Sequence, residues 1–358
     1  MPSLKEIKGR INSISSTLAI TSAMKMVAAA KLQKAQMAIQ NMLPYERRLH
    51  SMLVDLMGAM NISAAASEDG SVRGSGSAER GFAQSGDRLS LSNRHDLAGM
   101  DGAYSLMAQR KVRKVAIVAF ASNSSLCGAF NSNVIREATA VINEYRASGL
   151  RDSDIVVYSV GRKMAEAMRK LGFPSPADFT KMSDSPSYEA ASALAQELLD
   201  GFVSGRFDKV ELVYNHYKST SSQPTTRQTY LPLSLADATA DLQAGKIADS
   251  ASESDTNRGA EPVGAPVVRQ GSPTTEDLIV EPSKEALIAT LLPKVVRLRI
   301  FTTLLDSAAA EHAARTVAMQ LATDNGNDLL QELTLEYNKG RQQKITSEIL
   351  DLVGGSMQ

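Results

Sequence analysis

Apolar side chains recur along residues 3–60 at alternating steps of four and three residues. Thirteen of the sixteen positions in this repeat are apolar: Ile7, Ile11, Ile14, Leu18, Thr21, Lys25, Ala28, Leu32, Ala35, Ile39, Met42, Glu46, Leu49, Leu53, Leu56 and Met60. A repeat that averages 3.5 residues keeps one stripe against a neighbour only when two helices wind around each other. The stretch therefore predicts one helix of a coiled coil, about 85 Å long at about 1.5 Å per residue, with a second long helix beside it.

Two local signals bear on how this first helix starts and continues. Ser3 and Glu6 have the spacing of a capping box, in which the side chain of each residue accepts a backbone amide hydrogen of the first turn. We therefore expect the helix to begin close to Ser3. Pro44 removes one amide donor, but the apolar repeat resumes at Leu49, so we expect a bend at Pro44 rather than an end.

The last part of the chain has the features of the missing partner helix. Ser283 is a candidate cap for a helix start, and Pro293 is expected in the first turn of a longer helix over residues 294–353 that ends at Gly354. Small side chains crowd into one part of that helix, namely Ala308, Ala309, Ala310, Ala313, Ala314, Ala318 and Ala322. Small side chains allow two helix axes to approach closely, so this helix is predicted to pack along the first one.

Between the two long helices, apolar runs typical of buried strands alternate with helical stretches. The expected elements are strands at residues 115–120, 155–160 and 209–217, helices at 132–148, 161–171 and 187–203, and a last edge strand at 224–233. Near-continuous apolar runs are typical of strands that are buried on both faces. The alternation therefore predicts a parallel sheet covered by helices.

The composition divides the chain into five segments. Residues 62–110 and 236–276 are rich in small and polar residues and have too little apolar surface to offset the entropy lost on ordering, so we predict two flexible inserts. The remaining segments are a coiled-coil helix at 1–61, a doubly wound, Rossmann-like α/β domain at 111–235 and a second coiled-coil helix at 277–358. The predicted fold class is α/β, with a long two-helix coiled coil around an inserted small domain.

Overall composition argues against several classes of protein. The formal net charge is zero, aromatic residues make up 5% of the chain and tryptophan is absent, so a broadly basic nucleic-acid-binding surface is not indicated. Cys127 is the only cysteine, which excludes an internal disulfide and a cysteine-based metal cluster and is typical of a reducing compartment. No run of apolar residues is long enough to predict a membrane-spanning helix.

Two motifs are candidates for chemistry, and each has a simpler structural interpretation. The loop at residues 122–131 follows the first buried strand, where doubly wound folds bind phosphate, but it lacks the G-x-G-x-x-G spacing of dinucleotide sites. A structural turn at Gly128 is therefore favoured. Cys127 would need a nearby histidine to act as a nucleophile, and the histidines fall in separate elements, so a buried, inert thiol is favoured. We accordingly predict no catalytic residue, no cofactor-binding residue and no metal ligand.

Polar residues interrupt both long helices. Residues 24–26 fall where the heptad loses its apolar side chains, and residues 337–344 form a basic stretch. A solvated helix face explains both, but Arg341 beside Gln342 also suits charge-assisted bonds to carboxylates of a neighbouring protein. Three classes of function remain open on these residues: a rod that contacts other proteins, a nucleotide-binding α/β enzyme with a helical arm, and a nucleic-acid-binding coiled coil that uses the basic first helix.

Longer motifs make the chain similar to a known family. They are ITSAMKMVAAAKL at residues 20–32, LCGAFN at 126–131, SAAAEHAAR at 307–315, ATDN at 322–325, LTLEYNKGRQ at 333–342 and ITSEI at 345–349. Through them the sequence resembles the gamma subunit, or central shaft, of F-type ATP synthases over about residues 1–61, 112–235 and 277–356. Ser125 and Gly340 depart from the glycine and alanine usual in that family, and we match no segment of the family to the two inserts.

The resemblance implies an architecture and a set of partners. The two long helices would form an antiparallel coiled coil inside a ring of three alpha and three beta subunits, and the α/β domain would lie near the epsilon subunit and the membrane c-ring. Ion flow would turn the shaft, which would drive the catalytic sites of the ring through different affinities while doing no chemistry itself and needing no cofactor. A bacterial member would be peripheral, at the cytoplasmic face of the inner membrane.

The resemblance also implies contact residues. Positions that face the beta subunits in this family are matched here by Met24, Arg341 and Gln342. Positions implicated in coupling are matched by Arg315, Thr346 and Glu348. Together with Lys25, which follows Met24, these residues are expected to form the contacts between the rotating shaft and the stationary ring.

Overall fold

The computed structural model describes residues 3–59, 106–233 and 284–355. The predicted insert at residues 236–276 and most of the insert at 62–110 lie outside the described residues. The described end of the first insert is packed into the protein, because Leu106 is buried and its carbonyl accepts the amide hydrogen of Leu233 at 2.9 Å. Leu106 therefore belongs to the core of the α/β domain.

Apart from one short helix at Thr180–Asp184, which was not predicted, the described elements follow the predicted order along the chain. They are α1 (Leu4–Ala59), β1 (Val115–Phe120), α2 (Phe130–Ala147), β2 (Ile155–Val160), α3 (Arg162–Lys170), α4 (Thr180–Asp184), α5 (Tyr188–Val203), β3 (Lys209–Asn215), β4 (Thr225–Leu231) and α6 (Lys284–Gly355). At the start of α1 the Ser3 hydroxyl accepts the amide hydrogen of Glu6 at 3.2 Å, which is the bond that the capping-box spacing predicts.

The helices α1 and α6 run antiparallel along each other. Thr323 donates a hydrogen bond to Thr21 at 3.2 Å, and Thr302 donates to Glu46 at 3.1 Å, so later residues of α1 meet earlier residues of α6. Every heptad position of α1 from residue 7 to residue 53 is buried or partly buried. The predicted long coiled coil is therefore confirmed, and its partner is the C-terminal helix.

Neither proline inside the two long helices ends its helix. The helix α1 continues through Pro44, as expected. The helix start predicted after Ser283 agrees with α6, which begins at Lys284. The prediction of a separate, longer helix from residue 294 is wrong, because Pro293 lies in the interior of α6 rather than in a first turn. Proline costs one backbone hydrogen bond there, but Leu292 and Val296 on either side are buried in the main core, and that burial offsets the loss.

The α/β domain is built on a four-stranded sheet in the order β2-β1-β3-β4. The strand β1 pairs in parallel with β2 and β3, and β4 is the predicted edge strand, antiparallel to β3. Even-numbered residues of β1 face a core shared with α5 and α6, whereas odd-numbered residues face α2 and α3. The two long helices α1 and α6, called the rod from here on, therefore form one wall of the α/β domain.

One buried carboxylate ties β3 to β4 and α2. Glu211 is 1% exposed and accepts hydrogen bonds from Tyr145 at 2.6 Å and from Arg227 at 2.7 Å, while the Lys209 ammonium lies 2.6 Å away. Burial alone would raise the pKa of Glu211, but the bonds from Arg227, Lys209 and Tyr145 together hold that pKa below its ordinary value.

Glu211→Ala is expected to lower the free energy of unfolding by about 3–5 kcal/mol, because it leaves two cations without their buried anion. In the native chain this contribution is present above the ordinary pKa of 4.5 and is lost as pH falls through the lower folded pKa. Urea unfolding of the full chain measures both effects. Glu211→Gln, which keeps the volume but not the charge, should lose less stability in acid than the native chain does; an equal loss would contradict the assignment.

Candidate functional site on the helical rod

The helix α6 extends beyond α1 at one end of the rod. A Cβ atom on Gly340 would lie 3.2 Å from Leu4, where α1 begins, so residues 341–355 continue past the start of the partner helix. At about 1.5 Å per residue, this end is about 22 Å of single helix. Each residue from 341 to 350 is exposed. A single helix of this length is marginally stable in water, so contact with a neighbouring molecule would stabilise it.

Four of the seven expected contact residues lie on this single-helix end, namely Arg341, Gln342, Thr346 and Glu348. The Thr346 hydroxyl donates to the Gln342 carbonyl at 2.9 Å, and Glu348 lies 3.7 Å from Lys344. Among the described residues the Arg341 guanidinium has no hydrogen-bond partner. Its donors and the Gln342 amide therefore project from the end of the rod and are available to another molecule.

Exposed apolar side chains share the single-helix end with these polar groups. They are Ile345, Ile349, Leu350, Leu352 and Val353, each about half exposed or more. Sequence reasoning missed them as candidate contacts. Their spacing continues the helical apolar pattern past Gly340, and the signal that would have revealed them is that α1 begins too late in the antiparallel register to cover them.

Two of the remaining three expected contact residues lie on α1, about halfway along the rod. Met24 and Lys25 are both partly buried, next to Met26 and Val27, which are 65% and 57% exposed. Met24 lines a cavity of about 320 Å³ that α1 shares with α6 and the loop before α2. Only part of each side chain therefore remains accessible, and the exposed apolar surface beside them belongs to residues 26 and 27.

Arg315 differs from the other six because it is buried. It is 8% exposed and donates to the Ser125 carbonyl at 2.6 Å, to the Ser124 hydroxyl at 2.8 Å and to the Glu311 carboxylate at 2.6 Å. These bonds fix the loop at residues 122–131 onto α6. The structure thus gives Arg315 a role inside the chain, as the residue that holds the loop against the rod.

The environment of Arg315 sets the charge states of its neighbours. Burial raises the pKa of Glu311, and the adjacent Arg315 opposes this rise without cancelling it. Burial also lowers the pKa of His312 to about 4, with Lys31 and Arg315 adding to the effect. His312 Nδ1 is buried without a hydrogen-bond partner among the described residues. This part of the rod therefore carries a neutral imidazole at neutral pH.

Arg315→Ala is expected to cost about 3–5 kcal/mol of stability, because it leaves the Glu311 carboxylate buried without its cation and releases the loop. The variant Arg315→Ala with Glu311→Gln should recover part of that loss, since no buried charge then remains unpaired. A double-mutant cycle measured by urea unfolding gives the coupling. Strict additivity of the two single changes would show that the pair does not act as a unit.

The loop at residues 122–131 uses its polar groups for its own structure. The Ser122 amide donates to Asn131 at 3.0 Å, and the Asn123 side chain bonds the Thr180 carbonyl and the Arg162 amide. Left-handed backbone falls on Leu126 and Gly128, so Ser125 stands where no glycine is required. The loop is therefore a braced turn, as the structural interpretation predicts, rather than an open cradle of amides for a phosphate.

Cys127 lies in this turn and is 1% exposed. Burial raises the pKa of its thiol, with a smaller opposing effect from the hydrogen bond with Ser122. A buried thiol with a raised pKa is a poor nucleophile. Within the described residues there is no cluster of three or more metal-ligating side chains, and none of the helices described has the length and hydropathy to cross a bilayer.

The fold and these surfaces define a class of protein. Its members are rods of two antiparallel helices with a small α/β domain packed against the rod and a single uncovered helix at one end. A family model described as ATP synthase matches residues 3–357. The chain is 46% identical to the ATP synthase gamma chain of Phocaeicola vulgatus and 44% identical to that of Bacteroides thetaiotaomicron, over the whole of each chain. The chain therefore belongs to the family of ATP synthase gamma chains.

Solved structures share the fold. The rotor of the Euglena gracilis mitochondrial ATP synthase matches 96% of this chain and 98% of its own, with a TM-score of 0.51 at 19% identity. A second structure of that enzyme, containing its OSCP, F1 and c-ring parts, matches 99% of this chain and 93% of its own, with a TM-score of 0.52 at 18% identity. The predicted combination of antiparallel coiled coil and α/β domain is confirmed at the level of fold.

Proposed function

We propose that this chain is the rotating central shaft of a bacterial F-type ATP synthase and that it does no chemistry itself. In this role it couples ion flow through a membrane c-ring to ATP synthesis or hydrolysis in a head of three alpha and three beta subunits. The epsilon subunit and the c-ring would contact the α/β domain. The complex would place the chain peripherally, at the cytoplasmic face of the inner membrane.

The observation that carries the proposal is the uncovered end of α6. Its apolar side chains would each contribute about 1.5–3 kcal/mol on full burial, which is enough to hold a single helix inside a ring of partner subunits. Contacts made by these apolar side chains also have no directional bonds to break as the helix turns. The two-helix part behind it supplies the stiffness that a marginal single helix lacks.

We infer that six expected contact residues meet the stationary ring directly and that Arg315 acts through the loop that it holds. At the end of the rod these are Arg341, Gln342, Thr346 and Glu348, and halfway along it they are Met24 and Lys25. Ion pairs at an exposed surface are worth about 0–1 kcal/mol each. Contacts of that size give preferred angular positions and still break at every step of rotation.

Affinity purification of the chain from native membranes tests the proposal. Three alpha and three beta subunits per copy of this chain are expected, together with epsilon and c-ring subunits. Recovery of the chain alone under conditions that preserve a control ATP synthase would contradict it.

The alternative of a nucleotide-binding enzyme makes a different prediction, which isothermal calorimetry of the full chain with ATP and NAD measures. We expect no binding heat, because the loop at residues 122–131 is engaged with its own chain. Binding of either nucleotide would favour the alternative.

A further inference from the structure

The segment that follows β3 contacts both helices of the rod, and a carboxylate of α6 bonds two of its residues. Asp306 of α6 lies 2.6 Å from His216 Nδ1 through one oxygen and accepts the amide hydrogen of Tyr217 at 2.9 Å through the other. The Tyr217 hydroxyl accepts a hydrogen bond from Gln36 of α1 at 2.7 Å. Two consecutive residues of the α/β domain are thus joined to both helices of the rod.

His216 is accessible to solvent at this joint. Its side chain is 50% exposed, and it borders a cavity of about 460 Å³ between the two long helices and the sheet. The imidazole can therefore exchange a proton with water without any opening of the core. By contrast, Asp306 is only 18% exposed, so its charge is less screened.

Charged groups of both signs face the same cavity or follow His216 directly. They are Asp306 and Arg299 from α6, Glu46 and Arg47 from α1, and Lys218 from the segment of His216 itself. Asp306 has the largest influence because it bonds the ring directly, and it raises the pKa of His216 above its ordinary value of 6.5. Burial and Lys218 oppose this rise and are outweighed.

We propose that His216 and Asp306 form a proton-controlled fastening between the α/β domain and the rod, tighter when the imidazole is protonated than when it is neutral. The protonated ring donates a charge-assisted bond to the carboxylate. Loss of one proton to solvent removes the charge attraction, so the carboxylate is held less firmly and the bond from the Tyr217 amide to Asp306 opens more often. The fastening therefore weakens, but the domain does not separate from the rod. The packing of α5 against α6 and the hydrogen bond from Tyr230 to the Val296 carbonyl still hold the two parts together.

The pH dependence has a definite sign. Because the folded pKa of His216 is raised, the stabilisation is fully present below pH 6.5 and is lost as pH rises through the folded pKa. This inference concerns contacts within the chain and does not require the proposed function. If torque passes between the α/β domain and the rod, the two parts would move less relative to each other at lower pH.

NMR titration of the full chain, labelled at its histidines, tests the proposal. His216, assigned by the loss of its signal in His216→Gln, is expected to titrate with a midpoint above 6.5, and Asp306→Asn is expected to lower that midpoint. His312 is an internal control, because burial lowers its pKa to about 4 and it should not titrate between pH 6 and 9. A His216 midpoint at or below 6.5, or one that Asp306→Asn leaves unchanged, would overturn the proposal.

A second measurement separates a proton-controlled contact from a merely structural one. The protection of the Tyr217 amide against solvent exchange, corrected for the intrinsic rate, is expected to fall as pH rises through the His216 midpoint. In His216→Gln the same protection should be independent of pH, because Asp306 still accepts the amide but no proton is exchanged. An equal fall of protection in both proteins would refute the control by His216.

Discussion

Gly161→Ala is expected to destabilise the chain by at least about 3–4 kcal/mol, enough to remove a large part of the stability of a typical domain. Gly161 joins β2 to α3 with a φ of +96°, and a Cβ atom there would lie 2.0 Å from the Ala121 carbonyl oxygen. That oxygen is backbone and cannot rotate away. Moving it would disturb the neighbouring bond from the Ala121 amide to the Val160 carbonyl, which is 2.9 Å long.

Gly149→Ala is the matched control for this prediction. Its φ of +93° is nearly the same, but no atom lies within 4 Å of the added Cβ atom. The control should therefore lose only the backbone cost of a left-handed residue, about 1–2 kcal/mol. Urea unfolding of both variants of the full chain isolates the cost of the clash as the difference between them. Equal losses would show that the backbone near Ala121 relaxes freely.

Arg341→Ala combined with Gln342→Ala is expected to lower the coupling of ion flow to ATP synthesis about fivefold while leaving the chain folded. Both side chains project from the single-helix end of α6, where they contribute nothing to the packing of the rod. Two contacts of about 0.5 kcal/mol each correspond to a change of about that size in a rate. ATP synthesis by membrane vesicles, measured at a fixed ion gradient, checks the effect.

Gln331→Ala with Glu332→Ala provides the control, because these two residues are also exposed on α6 but lie where α1 runs alongside it. That variant should assemble and couple normally. If the Arg341 and Gln342 variant assembles fully and synthesises ATP at the same rate as the control, then these two residues are not contacts of the rotor with the ring.

The fold was largely predictable because most of it depends on patterns that are local in sequence. The heptad residues of α1 from residue 7 to residue 53 are buried or partly buried as their spacing requires, and the apolar run of β1 is fully buried. The continuity of α6 through Pro293 was not predictable, because a proline is tolerated there only through burial of its neighbours in a core that distant residues complete. The short helix α4 was also missed, since five residues hold too few turns to show a period.

The candidate site divides in the same way. Exposure of Arg341 and Gln342 agrees with a polar stretch on a helix, which local pattern predicts. The burial of Arg315 could not be predicted from local pattern, because its partners Ser124 and Ser125 lie far away in the chain and only the fold brings them together. A motif shared with a family marks such a residue as constrained but does not say whether the constraint is a partner or the chain's own loop.

The antiparallel pairing of α1 with α6 also determines when the rod can form in the cell. Everything between residue 59 and residue 284 is translated after α1 and before its partner. At about 5–20 residues per second, the apolar stripe of α1 leaves the ribosome about 10–45 s before α6 exists. During that interval the apolar stripe of α1 lacks the partner helix that covers it in the folded chain, a state that favours aggregation.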